Sequence, residues 1–145
     1  MLKIVQGALD TDKLLKDYQE EACTKNFGAF CVFVGIVREE GNVQGLSFDI
    51  YEALLKTWFE KWRHQPKDLG VVLKMAHSVG DVLIRHSSFL CVLMGANTKN
   101  ALKLYEYFFK NFKRNAPIWK CYLSDNERIY AKKKDHLLKG SGLLA

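Results

Sequence analysis

Apolar positions recur along this chain in two rhythms, and the switches between them outline its secondary structure. Behind Asp10 and Thr11, which can cap a helix, Leu14, Leu15, Tyr18 and Ala22 fall three and four apart. That spacing predicts a first helix running to about Cys23. Residues 28 to 37, Gly-Ala-Phe-Cys-Val-Phe-Val-Gly-Ile-Val, are too apolar to alternate. They read as a central strand buried on both faces. Gly41-Asn42 opens a turn and Leu46 to Tyr51 reads as the next strand, so the two are expected to form a hairpin. Leu55, Trp58, Phe59 and Trp62 return to the helical spacing. They predict a second helix from about Ala53 to His64, with Pro66 as its stop.

Val71 to His77 reads as a strand, Val79-Gly80-Asp81 as a turn, and Ser88 to Met94 as a further strand. A third helix is expected from about Lys99 to Asn115, with Leu102, Tyr105, Phe109 and Phe112 on one core-facing stripe. Pro117 follows its end. Ile118 to Leu123 then reads as a strand, Ser124 to Glu127 as a turn, and Arg128 to Ala131 as its hairpin partner. No repeat, low-complexity block or Pro/Ser-rich linker divides the chain. The pattern therefore predicts a single α+β domain spanning residues 1–145, with three main helices and a mixed, largely antiparallel sheet.

Composition narrows the function classes. With 48% hydrophobic and 26% charged residues in 145, the chain has the makeup of a globular domain with a real core. No apolar run approaches the roughly 20 residues of a membrane-spanning helix. Met1-Leu-Lys-Ile-Val lacks the apolar region and cleavage site of a signal peptide, so the expected location is the cytoplasm. The net charge of +6, from 22 Lys and Arg against 16 Asp and Glu, favours anionic partners without choosing among them. Part of it lies in Lys132-Lys-Lys134 and Lys139, which reads as a solvated face or tail. No RNP-like motif, zinc-finger spacing or basic heptad region argues for nucleic acid. Cys23, Cys31, Cys91 and Cys121 form no CxxC pair, and His64, His77, His86 and His136 fit no HExxH pattern, so no metal site is expected.

The candidate chemistry lies in cations placed at the ends of core elements. Arg38 ends the apolar run, Lys113 ends the third helix, and Lys120 follows in Pro117-Ile-Trp-Lys120. A cation held beside a core needs a partner, and the expected partner is a ligand or another protein's tail. A guanidinium matches a phosphate or carboxylate with its planar fork. A lysine stem can pack beside Trp119 and aim its amine. Asn97-Thr98 stands where the third helix begins; a helix cap explains it, and the same helix start with Lys99 also suits an anion.

The run from Gly28 to Arg38, then Tyr51, His77-Ser-Val-Gly-Asp81 and Lys113-Arg-Asn-Ala-Pro-Ile-Trp-Lys120, resembles the large subunit of molybdopterin synthase, the MoaE family. The likeness extends over about residues 28 to 131. Gly-x-Val-Arg followed some eighty residues later by Lys-x-Arg/Asn-Ala-Pro-x-Trp-Lys is specific as a combination. The resemblance implies an α/β-hammerhead fold, a homodimer, and a small ubiquitin-like subunit docked at each end. That subunit's C-terminal Gly-Gly thiocarboxylate would deliver sulfur to cyclic pyranopterin monophosphate, forming the molybdopterin dithiolene. No cofactor is implied, and no nucleophile is asked of this chain. Lys113 and Lys120 match the family's two active-site lysines, the first expected to serve sulfur transfer and the second to position tail and substrate. Arg38 matches a substrate-contacting arginine, with Ile36 and Val37 beside it and Cys121 and Tyr122 beside Lys120.

The chain departs from the family where a common His-Arg becomes Asn97-Thr98, with Lys99 as a candidate replacement for the lost charge. His-Arg-x-Gly becomes His77-Ser-Val-Gly80, a Pro-Gly-Asp turn becomes Ile84-Arg-His86, and a common Trp becomes Ile129. Two other functions remain open on sequence: a basic scaffold that grips an acidic protein or RNA, and a persulfide carrier using Cys121 or Cys31. A homologue that docks the small subunit but turns over poorly is also compatible. The stretch Gly140-Ser-Gly-Leu-Leu-Ala145 is not a terminal Gly-Gly and is not expected to act as the sulfur-carrying tail.

Overall fold

A computed structural model of the protein describes residues 1–64, 69–125 and 127–130. In chain order the elements are β1 (Leu2–Gln6), α1 (Thr11–Thr24), β2 (Ala29–Ile36), β3 (Gly45–Ile50) and α2 (Glu52–His64). There follow β4 (Val71–Leu83), β5 (Ser87–Gly95), α3 (Thr98–Asn115), β6 (Ile118–Ser124) and β7 (Glu127–Tyr130). The three helices lie where periodicity puts them. Asp10 caps α1 by accepting from the Lys13 N–H at 3.1 Å, and Asn97 caps α3 by accepting from the Asn100 N–H at 3.3 Å. The expected stop at Pro66, Ala131 and the basic run after it lie outside the described residues.

The seven strands run in the order β2-β5-β4-β3-β6-β7, with β1 alongside β4. Among the described residues only the β1–β4 pair is parallel, so the sheet is mixed and mostly antiparallel, as the sequence pattern anticipates. Four details differ from the expectation. The strand at 28 to 37 is not central: β2 lies at one end of the strand order, and its side chains from Phe30 to Val34 are half-buried. It is apolar because α1 packs near one face and α3 near the other, although neither covers it fully. It also forms no hairpin with β3. β2 pairs with β5, whereas β3 lies between β4 and β6.

The third difference concerns Gly80. No turn occurs at Val79-Gly80-Asp81, because β4 continues through it for 13 residues and the chain reverses at Ile84–His86 instead. Gly80 has φ +80°, a left-handed conformation that costs glycine little. The strand pairs with β1 up to Val79 and with β3 from Gly80 onward, so this residue marks the handover between neighbours. A glycine signal is therefore real here, but it marks a bend within a strand. The fourth difference is in α3, where Ala101, Leu104, Phe108 and Phe112 are buried and Leu102 is exposed. The inner stripe is rotated from the expected one, with Tyr105 and Phe109 at its margin. The strand β1 carries no signal that the sequence pattern picked out.

The true centre of the sheet is β4 with β5. Residues 88 to 95 are all buried, because α1 covers one face and α2 with α3 the other. One core gathers Leu14, Tyr18 and Ala22 of α1 against Ala76, Leu90, Val92 and Met94. The larger core packs Leu55, Phe59, Trp62, Phe108 and Phe112 against Leu73, Met75, Cys91 and Leu93. The indole N–H groups of Trp58 and Trp62 both donate to Asn111 Oδ1, at 3.0 and 3.1 Å, which ties α2 to α3.

His77 sits inside this core, 1% exposed, edge-on to Phe48 at 5.0 Å and within 6.2 Å of the Phe89 and Phe112 rings. Its Nδ1 lies 2.7 Å from the Ser78 carbonyl oxygen, which makes Nδ1 the protonated nitrogen of a neutral ring. Burial pulls its pKa from the usual 6.5 down to about 4, against the opposing pull of that carbonyl.

Two predictions follow from this packing. The unfolded chain protonates His77 near 6.5 and the folded one only near 4. Stability should then be complete above the first value and fall through that window, by about 3 kcal/mol in total. Urea midpoints recorded across the range should slope downward in the native protein and flatten in His77→Phe; identical slopes would exclude His77 as the cause. Separately, Gly80→Ala places a side chain at φ +80° and against Gln6, and should cost about 1–3 kcal/mol by the same measurement.

Candidate active site

The end of β4 beyond Gly80, together with β3 and β6, forms the wall of a cleft. Register decides which side chains reach it. Leu46 pairs with Tyr122, and Phe48 with Lys120. Paired residues share a face, so all four point one way, while Ser47 and Cys121 point the other. β3 can lie this close to β4 because residue 45 is glycine: a Cβ there would meet the Val82 carbonyl oxygen at 2.5 Å.

The opposite wall comes from the chain leaving β2. Register shifts between Gly35 and Ile36, which re-aims the strand end. Val37, 2% exposed, then locks the backbone: its N–H donates to the His86 carbonyl at 2.9 Å, and its carbonyl accepts from the Arg85 N–H at 2.7 Å. Arg38 is thereby fixed at its base, while its side chain reaches into solvent. Glu40 starts a tight turn in which the Val43 N–H donates to the Glu40 carbonyl at 3.1 Å and Gly41 takes φ +57°.

These two walls enclose about 340 Å³ lined by Ile36, Arg38, Glu40, Val43, Leu46, Lys120 and Tyr122. The Lys120 ammonium lies 5.6 Å from the centre of the Tyr122 ring, within range of a cation–π contact that aims it. The Arg38 guanidinium is ion-paired with the Glu40 carboxylate. Next door, Arg85 reaches Glu39 at 3.7 Å. A guanidinium and an ammonium beside Ile36, Val43 and Leu46 are groups that can receive an anion.

The structure thus brings together Arg38, Lys120, Ile36 and Tyr122, four of the residues singled out from the sequence. Val37 is an anchor with a buried side chain. Cys121 is fully buried on the far face of β6, so its thiol does not line the cleft. Lys113 is exposed on the last turn of α3 and is not among the lining residues. Asn97, Thr98 and Lys99 lie at the opposite end of that helix, roughly 20 Å from Lys113 at ~1.5 Å per residue. They are also a strand length from Arg38, because Gly95 pairs with Ala29 at the start of β2 and Arg38 follows its end. Roughly 25 Å separates those ends at ~3.3 Å per residue. Glu40, Val43 and Leu46 were missed by sequence reasoning. Leu46 carried a strand signal, but nothing in the pattern assigned it to a ligand cleft.

Among the described residues no group of three His, Cys, Asp or Glu side chains is placed to hold a metal ion. Among the described residues that line the cleft there is neither a Ser/His nor a Cys/His pair. Fold and site together define an α+β protein with a cleft between two sheet segments, lined by Arg38 and Lys120. The MoaE protein family model matches residues 4–115, and the chain belongs to that family. It is 78% identical over its full length to the molybdopterin synthase catalytic subunit of Helicobacter pylori, whose full length is also covered. It is 29% identical over 104 residues to the subunit of the same name from Dictyostelium discoideum, covering 64% of this chain and 63% of that one. Among solved structures, it superposes with a TM-score of 0.92 on a chain from the complex of subunits 1 and 2 of molybdopterin-converting factor from Helicobacter pylori. That match is 78% identical and covers 99% of each chain. Molybdopterin synthase from Staphylococcus aureus shares the fold at a TM-score of 0.76 and 22% identity, over 89% of this chain and 95% of that one.

Arg38→Ala and Lys120→Ala should each weaken inorganic phosphate binding about three- to tenfold. Calorimetric titration at low salt measures this, and both losses should shrink as salt rises.

Proposed function

We propose that this chain is the catalytic subunit of a molybdopterin synthase. It transfers sulfur from the C-terminal thiocarboxylate of a small ubiquitin-like subunit to cyclic pyranopterin monophosphate, and so builds the dithiolene of molybdopterin. The observation that carries this reading is the convergence of Arg38 and Lys120, distant in sequence, on one open cleft. The 78% identity to a molybdopterin synthase catalytic subunit supports the same reaction. The similar chain that was solved together with a second subunit supports the partner.

In this reading the transferred sulfur arrives on the partner's tail, so the chain supplies position and charge. Arg38 holds the phosphate. Lys120, aimed by Tyr122, neutralises the thiocarboxylate and then, once its sulfur has bonded to the precursor, the oxyanion that forms as water attacks the carbonyl carbon and breaks its bond to sulfur, leaving the tail a carboxylate. Lys113, exposed at the α3 terminus, serves sulfur transfer once the tail is seated. Burial of Cys121 argues against a persulfide there, and burial also raises the Cys31 thiol pKa, which disfavours the nucleophilic thiolate. The reaction is cytoplasmic in this proposal. Among the described residues no helix is long and apolar enough to cross a membrane.

The separation of Asn97, Thr98 and Lys99 from Arg38 fits a homodimer. β2 is an eight-residue terminal strand without a charged side chain, the kind of edge that pairs with another strand. Antiparallel pairing of two copies along β2 would set the Ala29 end of one against the Ile36 end of the other. The α3 start of each copy would then approach the cleft of its partner. Asn97 and Thr98 offer polar contacts there and Lys99 offers charge, in place of a family His-Arg pair.

Reconstituted with a thiocarboxylated small subunit and precursor, Lys120→Ala should lose at least ~100-fold in dithiolene formation, while Cys121→Ser should retain activity. Full activity in Lys120→Ala would remove Lys120 from the chemistry. Lys99→Ala should weaken precursor binding several-fold. Equal mixtures of Lys99→Ala and Lys120→Ala chains, allowed to exchange, should regain about a quarter of native sites if each site spans two copies. No recovery would confine the site to one chain.

A further inference from the structure

We propose that Arg85 is a second guanidinium of the cleft, which joins Arg38 in gripping the phosphate of the bound ligand. This role rests on the functional reading above, in which Arg38 holds a cyclic phosphate.

Among the described residues three non-glycine positions have φ in the left-handed region: Asn26 at +55°, Asp125 at +51° and Arg85 at +69°. Asn and Asp enter that region readily, because a short polar side chain can bond locally to the backbone. An arginine has no such compensation and bears the steric cost of its Cβ. The bend itself is needed. It lies in the turn joining β4 to β5 and lets the Arg85 N–H donate to the Val37 carbonyl at 2.7 Å. Glycine would make the same bond without strain. The fold thus accounts for the backbone at residue 85 and leaves its side chain unexplained.

Its ion pair does not explain the side chain either. The Arg85 guanidinium lies 3.7 Å from the Glu39 carboxylate, a loose contact, and the two side chains are 82% and 64% exposed. Such a pair contributes little to stability and is broken at little cost.

Position supplies the remaining reason. Residue 85 is bonded to residue 37, and residue 38 is the arginine that lines the cleft. The two arginines therefore leave neighbouring points of a clamped main chain, since the Val37 N–H also donates to the His86 carbonyl at 2.9 Å. Arg85 is outside the lining while it rests beside Glu39. Exchanging that carboxylate for a phosphate held at Arg38 turns its guanidinium toward the cleft by side-chain rotation alone. A phosphate has oxygens enough for two planar forks. The strain at residue 85 is then retained for binding.

Affinity and stability are compared in the full-length protein. Trimethylene phosphate, a stable cyclic phosphodiester, is titrated calorimetrically at low salt into the native protein, Arg85→Gly, Arg85→Lys and Arg38→Ala. A urea midpoint is recorded for each. Arg85→Gly should weaken the diester about three- to tenfold. Its midpoint should stay close to native, because glycine relieves the left-handed bend by about what its added unfolded-chain entropy costs. Arg85→Lys keeps the charge without the fork and should recover less than half of the lost affinity. Unchanged affinity in Arg85→Gly would overturn the assignment. So would weaker binding with a clearly lower midpoint, which would make residue 85 a support for the turn. Full recovery in Arg85→Lys would overturn it too, by reducing Arg85 to charge at a distance. Diester binding that is absent from the native protein, or that survives Arg38→Ala undiminished, would instead overturn the cleft reading and the role of Arg85 with it.

Discussion

One strand shared between two neighbours governs this molecule. Along its first nine residues β4 is flanked by β5 and β1, and from Gly80 onward by β3. A left-handed glycine at the handover lets the strand change direction without breaking its ladder. Before the bend, β4 is core, covered by helices on both faces. After it, β4 carries β3, β3 carries β6, and β6 carries Lys120 to the cleft. Lys120 is thus positioned by a chain of backbone pairings that begins in the hydrophobic interior.

The same arrangement separates two electrostatic regimes. His77, just before the bend, is enclosed by Phe48, Phe89 and Phe112, and burial keeps it neutral. Phe48 then faces Lys120 across the β3–β6 ladder, so the aromatic core ends where the cleft begins. Arg38 remains in water, with its backbone clamped to the Ile84–His86 turn through Val37. A charged tip on a fixed base can meet an anion without the desolvation cost of a buried ion, and little backbone ordering remains for ligand binding to impose. In this site, rigidity belongs to the main chain and charge to the solvent-facing side chains.

Much of the fold was readable because helices declare themselves locally. Asp10 and Asn97 cap the helices that periodicity locates, and Leu14, Tyr18, Leu55, Phe59 and Phe112 face inward as expected. Strand neighbours are another matter. The apolar run at 28 to 37 was read as central because partial cover by two helices leaves the same composition as full burial. β2 and β3 looked like a hairpin because closeness in sequence is the default guess, yet pairing follows the partners available in space. Leu102 and Leu104 differ in burial by a small rotation of α3, finer than hydrophobic spacing resolves. At the site, the two separated motifs around Arg38 and Lys120 were legible. Glu40 was not, since an acidic residue in a turn looks like ordinary surface.

Residue order alone determined the helices, the mixed sheet, the two cationic motifs and the absence of a local nucleophile pattern, because each rests on spacing within a short window. Tertiary structure alone decided that Arg38 and Lys120 share a cleft while Asn97, Thr98 and Lys99 lie a strand length away, and that Cys121 turns inward. It also decided that Gly80 bends a strand instead of ending one. Those outcomes depend on which strands become neighbours and in what register. A shift of one residue in that register would reverse every side chain on the wall.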